Sequence, residues 1–323
     1  LETTALYEKI KAGLIHNVSR PISRPKSTNL PVQFAKFVGR ASEMDWATEI
    51  MREPLTRLLT ITGISGVGKT RLSVQLGAKL MHFYPDGVWF VPLNAIHTVD
   101  LIPHEIARVL KIELGESDPR WVLVNFLQDK DLLLVIDNFE HLLDGTTLLL
   151  DILREAPGVK MIVTSQRRLS YQAVQTLELS GLPYPKEFEP DWQTYPAVEL
   201  FLDRARRSQA DYLVTESDIP HLMKICHFVD GLPLGLELAA AGLRFYSCEE
   251  IARELAQSLD LLSTTMKDIP ERHRSLRAAF NHSWKILPEP EKDAFRRLSI
   301  YQGEFSLDDA MATTGASIGL ISR

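Results

Sequence analysis

The stretch GISGVGKT at residues 63–70 is the part of the sequence that decides the fold. An apolar run at 58–62 precedes it, and Leu72, Leu76 and Leu80 follow it at a spacing of four residues. This order predicts a strand, a glycine-rich loop and an amphipathic helix, with backbone N–H groups converging on a phosphate at the helix N-terminus. The sequence therefore predicts a phosphate-binding loop.

The residue types of this loop match the pattern G-x-x-x-x-G-K-[ST]. Its lysine, Lys69, places a positive charge on the β- and γ-phosphates of a nucleotide, and the hydroxyl of Thr70 is a ligand for Mg²⁺. The glycines let the backbone curl around the phosphates. The loop residues predicted to bind the nucleotide are Gly63, Gly66, Val67, Gly68, Lys69, Thr70 and Arg71.

The stretch LLLVIDNFE at 132–140 predicts a buried strand that ends in Asp137. A phosphate-loop ATPase uses an acidic residue at this position to hold Mg²⁺, so Asp137 and Thr70 are the predicted metal ligands. The next residue is Asn138, which cannot act as a base. Glu140 is then the candidate that activates water, and a structural or solvated role is equally consistent with its position. We expect slow hydrolysis.

The stretch KMIVTSQRRL at 160–169 predicts a further buried strand that ends in polar residues. Polar groups at this edge can sense the third phosphate of a nucleotide, and the alternative is a strand that leaves the core for solvent. The polar residues at this end are Thr164, Ser165, Gln166, Arg167 and Arg168.

Apolar strands alternate with helical patterns between residues 36 and 188. The predicted strands lie at 58–62, 88–91, 132–136, 161–163 and 176–179. Strands without polar alternation are buried on both faces, which indicates a parallel sheet in a doubly wound α/β domain. The predicted organisation is an N-terminal helix and linker (1–35), a nucleotide-binding domain (36–188), a helical domain (189–268) and the start of a winged-helix domain (269–323).

The composition limits the function classes. The net charge of −6 excludes a broad basic surface for nucleic acid. The sequence contains no run of about 18 apolar residues, so it predicts no membrane-spanning helix. Two cysteines, Cys226 and Cys248, are too few for a disulfide framework and suit a reducing cytoplasm as small buried side chains. The first residue, Leu1, and the sequence at 315–323 lead us to expect a piece of a longer protein.

Four motifs in order resemble the STAND class of P-loop NTPases, which includes the NB-ARC proteins. FVGRASE (37–43) resembles its hhGRxxE motif, GISGVGKT its phosphate loop, IDNFEHL (136–142) its Mg²⁺ motif and GLPLGLELAAA (231–241) its GxP motif. The resemblance implies that Val38 and Arg40 flank an adenine and that Pro233 contacts the base. The family has arginine as a γ-phosphate sensor where this chain has Gln166, and Arg167 follows. The resemblance implies that Arg167 substitutes as the sensor, and with Asp137 and Glu140 it forms the predicted catalytic set.

The resemblance further implies an ATP/ADP-dependent switch with Mg²⁺, closed with ADP and opened by exchange for ATP, which self-associates in the ATP form. Residues 2–13 resemble the last helix of the activation domain of SARP-type transcriptional regulators. We therefore expect effector and sensor domains in a parent protein, with DNA contacted only through a missing domain. The alternatives are an AAA+-type ATPase with a DNA-binding winged helix, or a winged-helix DNA binder.

Overall fold

The computed structural model describes residues 27–169, 171–172, 174–263, 274–301 and 305–321. In these residues the chain forms a sheet of five strands. The strands are β1 (Leu58–Thr62), β2 (Val88–Pro92), β3 (Leu133–Asp137), β4 (Lys160–Ser165) and β5 (Val174–Glu178).

Helices alternate with these strands and then continue alone to the end of the described chain. In the first part they are α1 (Ala41–Arg52), α2 (Lys69–Leu80), α3 (Ile102–Leu110), α4 (Pro119–Leu127) and α5 (Thr146–Glu155). In the second part they are α6 (Pro196–Ser208), α7 (Ile219–Phe228), α8 (Pro233–Gly242), α9 (Cys248–Leu255), α10 (Leu276–Ile286), α11 (Glu289–Leu298), α12 (Leu307–Thr314) and α13 (Ile318–Ile321). Short 3₁₀ turns lie at Met81–Phe83, Val99–Leu101, Leu143–Gly145, Trp192–Thr194 and Leu259–Leu261.

The strands lie in the order β2-β3-β4-β1-β5, and every neighbouring pair is parallel. Leu58 is in register with Met161 on one side and with Val174 on the other. The predicted parallel α/β fold is confirmed. Because all strands run the same way, the loops after β1, β3 and β4 meet at one edge of the sheet.

Both faces of the sheet are buried, as the continuous apolar strands predicted. Leu59 and Ile61 face a core formed with α1 and α2, whereas Leu58 faces the core under α3, α4 and α5. Alternate side chains of one strand point to opposite faces, so a strand covered on both sides must be apolar throughout.

The described part of the predicted linker is bound to the edge of the sheet. Thr28 forms a parallel bridge with Val88. The side chain of Asn29 accepts from the N–H of Phe90 at 2.6 Å and donates to its carbonyl at 2.8 Å. One amide side chain is enough to bond the backbone N–H and carbonyl of one residue in an edge strand. The amino-acid composition of a linker therefore does not reveal such a contact. The predicted N-terminal helix lies outside the described residues.

A separate core joins α6, α7, α8 and α9 into a helical unit. Both cysteines are free and buried in it, as expected. Burial raises the pKa of the Cys226 thiol to about 12, so this thiol is un-ionised at neutral pH. In the helical unit and elsewhere among the described residues, no helix has the length and apolar character needed to cross a membrane.

The C-terminal helices α10 to α13 are attached to this helical unit. Leu276 donates its N–H to Leu262 O at 3.0 Å, and Arg277 forms an ion pair with Asp260. Trp284 on α10 is half-buried, and its neighbour Phe280 is exposed. Over residues 274–301 and 305–321 the structure contains helices and no strand, so a winged helix stays a prediction.

Candidate nucleotide-binding site

The loop between β1 and α2 curls back on itself as the glycine pattern predicted. Gly66 and Gly68 have φ angles of +83° and +102°, which side-chain-bearing residues rarely adopt. The Nζ of Lys69 lies across the loop and donates to Gly63 O at 2.8 Å and Ile64 O at 3.0 Å. The loop therefore combines a lysine charge with the N-terminus of α2, both of which favour an anion.

The two predicted Mg²⁺ ligands are in contact. Thr70 Oγ1 donates to Asp137 Oδ1 at 2.6 Å, and Thr164 Oγ1 donates to the same oxygen at 2.7 Å. The N–H of Asn138 in turn donates to Thr164 Oγ1 at 2.9 Å. A carboxylate and a hydroxyl beside a phosphate loop are hard oxygen ligands of the kind that Mg²⁺ takes, with phosphates and water completing its shell. In the described part of the chain, no group of three or more His, Cys, Asp and Glu offers an alternative metal centre.

Glu140 lies in the same region, and its carboxyl group is buried. It is 4% exposed, and Gln166 Nε2 donates to its Oε1 at 3.0 Å. The chain reverses at Asn138, which has a left-handed φ of +69°, and this turn separates Glu140 from Asp137. A solvated role for Glu140 is therefore wrong, and its catalytic role stays a prediction.

The helical unit forms the second wall of the site. The N–H of Leu234 donates to Gly66 O at 3.2 Å, so the beginning of α8 is bound directly to the phosphate loop. Between them lies a cleft of about 210 Å³. Its lining residues are Ser65, Gly66, Gly68, Lys69, Thr70, Arg71, Asn138, Glu140, Thr164, Gln166, Pro233, Leu234 and Glu237.

Some predicted residues support the cleft without lining it. Arg40 is 8% exposed, and its guanidinium donates to Val67 O at 3.3 Å and to Ser180 O while pairing with Glu43. Val38 is buried in the core of the helical unit. Arg40 thus holds the phosphate loop from outside the cleft. Contacts of Val38 and Arg40 with a base stay predictions.

Arg71 extends from the cleft to the segment before α1. Its guanidinium donates to Ala35 O at 2.7 Å and Lys36 O at 2.6 Å, and lies 3.5 Å from Glu237 Oε1. Burial lowers the pKa of Arg71, an effect that leaves it charged at neutral pH. Sequence reasoning missed Glu237, although its place four residues after Pro233 puts both on one face of α8.

Arg167 points away from the cleft. Its Nη2 lies 3.7 Å from Glu291 Oε1 on α11, whereas the preceding Gln166 lines the cleft. The structure thus brings Asp137 and Glu140 to the site but directs the third predicted catalytic side chain to the C-terminal helices.

Comparison with known proteins identifies a family for this chain. No protein-family model matches it. The uncharacterized protein Rv0894 of Mycobacterium tuberculosis H37Rv is 31% identical over 306 residues, covering 92% of this chain and 74% of that protein. The chain belongs to the family of Rv0894.

Two further relatives of this chain are longer proteins. The putative HTH-type transcriptional regulator Rv0890c of M. tuberculosis is 32% identical over 81% of this chain and 29% of its own length. The regulatory protein AfsR of Streptomyces griseus is 23% identical over 94% of this chain and 31% of its own length. The chain spans less than a third of either regulator.

Proposed function

We propose that this chain is an adenine-nucleotide switch that is closed with ADP and opened by exchange for ATP. The observation that carries the proposal is the cleft whose walls come from both the phosphate loop and α8, joined by the bond from Leu234 to Gly66. A ligand that touches two units can bias their arrangement, provided that it binds the two arrangements with different affinity.

The cleft has two chemically different ends. Lys69 and the loop N–H groups suit the phosphates, and Thr70 with Asp137 suits Mg²⁺, which when bound neutralises charge on the β- and γ-phosphates. At the other end the cleft is lined by Pro233 and Glu237 of α8. We assign the nucleoside to that end, where the proline offers an apolar surface to the base.

Hydrolysis is proposed to be slow. Asn138 stands directly after Asp137, so the acid–base candidate is Glu140, three residues after Asp137. Its carboxylate already accepts a hydrogen bond from Gln166, which must be exchanged or shared when water is activated. A long-lived nucleotide state is what a switch requires.

Replacing Glu140 by glutamine tests this assignment. We expect single-turnover hydrolysis of bound ATP to slow by about 100-fold, since general-base catalysis contributes about 10²–10⁴-fold. ADP affinity, measured by calorimetry, should change less than about twofold, because the amide keeps the side-chain shape. Glu155→Gln, at an exposed position on α5, is the matched control. Unchanged hydrolysis in Glu140→Gln would remove Glu140 from the mechanism.

The relatives named as regulators suggest the context of the switch. We propose that in a longer parent protein it controls an effector domain, that a sensor domain sets its state, and that the ATP form self-associates. The cytoplasmic location belongs to the same proposal. The support is the likeness to Rv0890c and AfsR over most of this chain.

The direct test is the nucleotide that the purified chain carries. The protein is denatured and its supernatant is separated by anion-exchange chromatography. Stoichiometric ADP is the expected result for a closed switch that buries its ligand. An empty protein that binds neither ADP nor ATP with Mg²⁺ would contradict the proposed function.

A further inference from the structure

Glu237 is an acidic side chain in the wall of the cleft that the proposed phosphate and magnesium chemistry does not use. It lies on α8 four residues after Pro233, and both residues line the cleft. Its side chain is 36% exposed, so the carboxylate is open to a bound molecule. A carboxylate accepts hydrogen bonds and donates none. The group that Glu237 recognises must therefore be a hydrogen-bond donor.

Arginine side chains hold this carboxylate by one of its two oxygens. Arg204 of α6 donates to Glu237 Oε1 from Nε at 3.0 Å and from Nη2 at 2.9 Å. Arg71 Nη1 lies 3.5 Å from the same oxygen. Within the part of the chain that the structure describes, no group donates a hydrogen bond to Oε2. One oxygen thus fixes the side chain, and the other is available as an acceptor.

Glu237 lies between the two ends of the cleft. Its neighbour Arg71 directly follows Thr70 of the phosphate loop. Pro233, which we assign to the base, lies on the same face of α8 as Glu237. In a nucleotide the sugar is the part that joins the phosphates to the base. Glu237 is therefore placed beside the sugar, whose hydroxyl groups are hydrogen-bond donors.

We propose that Glu237 Oε2 accepts a hydrogen bond from a hydroxyl group of the ribose, so that the cleft selects ribonucleotides over deoxyribonucleotides. This assignment rests on the proposed nucleotide binding and adds the class of sugar to it. A hydrogen bond to a charged acceptor is stronger than one between neutral groups. A nucleotide that lacks the hydroxyl leaves the carboxylate oxygen without a partner in the occupied cleft, and such a site rejects it.

The test compares three nucleotides by their equilibrium competition with radiolabelled ADP for the purified chain: ADP, 2′-deoxy-ADP and 3′-deoxy-ADP. We expect the chain to bind ADP at least about tenfold more tightly than one of the two deoxy forms, because a hydrogen bond to a charged group is lost. The deoxy form that is rejected identifies the hydroxyl group. Equal affinity for all three nucleotides would overturn the proposal.

Glu237→Gln tests whether this side chain causes the preference. The amide oxygen still accepts from Arg204, but an NH₂ group takes the place of Oε2. We expect the ratio of the ADP affinity to that of the rejected deoxy form to fall to about threefold or less. A role in packing alone would weaken both nucleotides equally, and an unchanged ratio would contradict the proposal. Glu199→Gln, which changes a similarly exposed acid of α6 that pairs with Lys36, is the matched control.

Inosine diphosphate distinguishes a contact with the sugar from a contact with the base. It keeps the ribose but lacks the amino group of adenine, which is the other donor that a carboxylate can accept. A Glu237-dependent preference for ADP over inosine diphosphate, without any preference between the sugars, would place the contact at the base and overturn the proposal. A chain that binds neither ADP nor ATP contradicts the proposed function instead, so the two failures are distinguishable.

Discussion

Gly231→Ala is expected to lower the free energy of unfolding by about 3 kcal/mol or more and to loosen the helical unit from the phosphate loop. Gly231 has φ +62°, and a Cβ there would lie 2.0 Å from Leu182 O. Its carbonyl also accepts the N–H of Leu182 at 2.8 Å. An added methyl group must push these two backbones apart, and α8 begins only two residues later.

Gly315→Ala separates the steric contact from backbone strain. Gly315 has nearly the same φ, +67°, but a Cβ there meets nothing within 4 Å. We expect it to cost about 1–2 kcal/mol, the penalty of the left-handed conformation alone. Both variants are measured by chemical denaturation, and Gly231→Ala also by ADP affinity, which should fall. Equal losses of stability in the two variants would show that the contact with Leu182 contributes nothing.

The same glycine illustrates what the sequence could and could not predict. Apolar runs predicted the strands well. The run at 58–62 coincides with β1, the run at 88–91 is one residue shorter than β2, and the run at 132–136 is displaced from β3 by one residue. These strands are buried on both faces, so hydrophobicity alone marks them. The contact between Gly231 and Leu182 joins two units far apart in the chain, and no local pattern records it.

Helices were less predictable where their signals are not periodic. The sequence pattern predicted no helix at Ala41–Arg52 or Pro119–Leu127. The first begins at Arg40 in a left-handed conformation without a side-chain cap, whereas the second is capped by Asp118, which accepts the N–H of Arg120. A capping box at Ser247 and Glu250 marks the start of α9, which ends at Leu255.

In the candidate site, too, some features could be predicted from the sequence and others could not. Motif spacing predicted that Lys69, Thr70 and Asp137 meet, because the loops after parallel strands share one edge of the sheet. It could not predict which way a long side chain turns. Arg40 lies within the FVGRASE motif and Arg167 comes directly after Gln166, yet Arg40 bonds to carbonyls outside the cleft and Arg167 pairs with α11.

Lys69→Ala is expected to weaken binding of ADP and ATP by at least about 100-fold, since charge-assisted bonds to phosphate in a partly buried cleft are worth about 1.5–3 kcal/mol each. Its Nζ donates to Gly63 O and Ile64 O, so the ammonium group lies across the loop. Calorimetry with Mg²⁺ present measures the affinity, and thermal denaturation checks that the fold is kept.

Lys79→Ala is the control on the same helix. Lys79 lies near the C-terminal end of α2 and forms an exposed ion pair with Asp45 at 2.9 Å. An exposed pair contributes about 0–1 kcal/mol, and its loss leaves the cleft unaltered, so nucleotide affinity should not change. If Lys69→Ala bound ADP as tightly as Lys79→Ala does, the phosphates would not lie in this loop. The assignment of Thr70 and Asp137 to Mg²⁺ would then fail with it, because both depend on phosphates placed beside them.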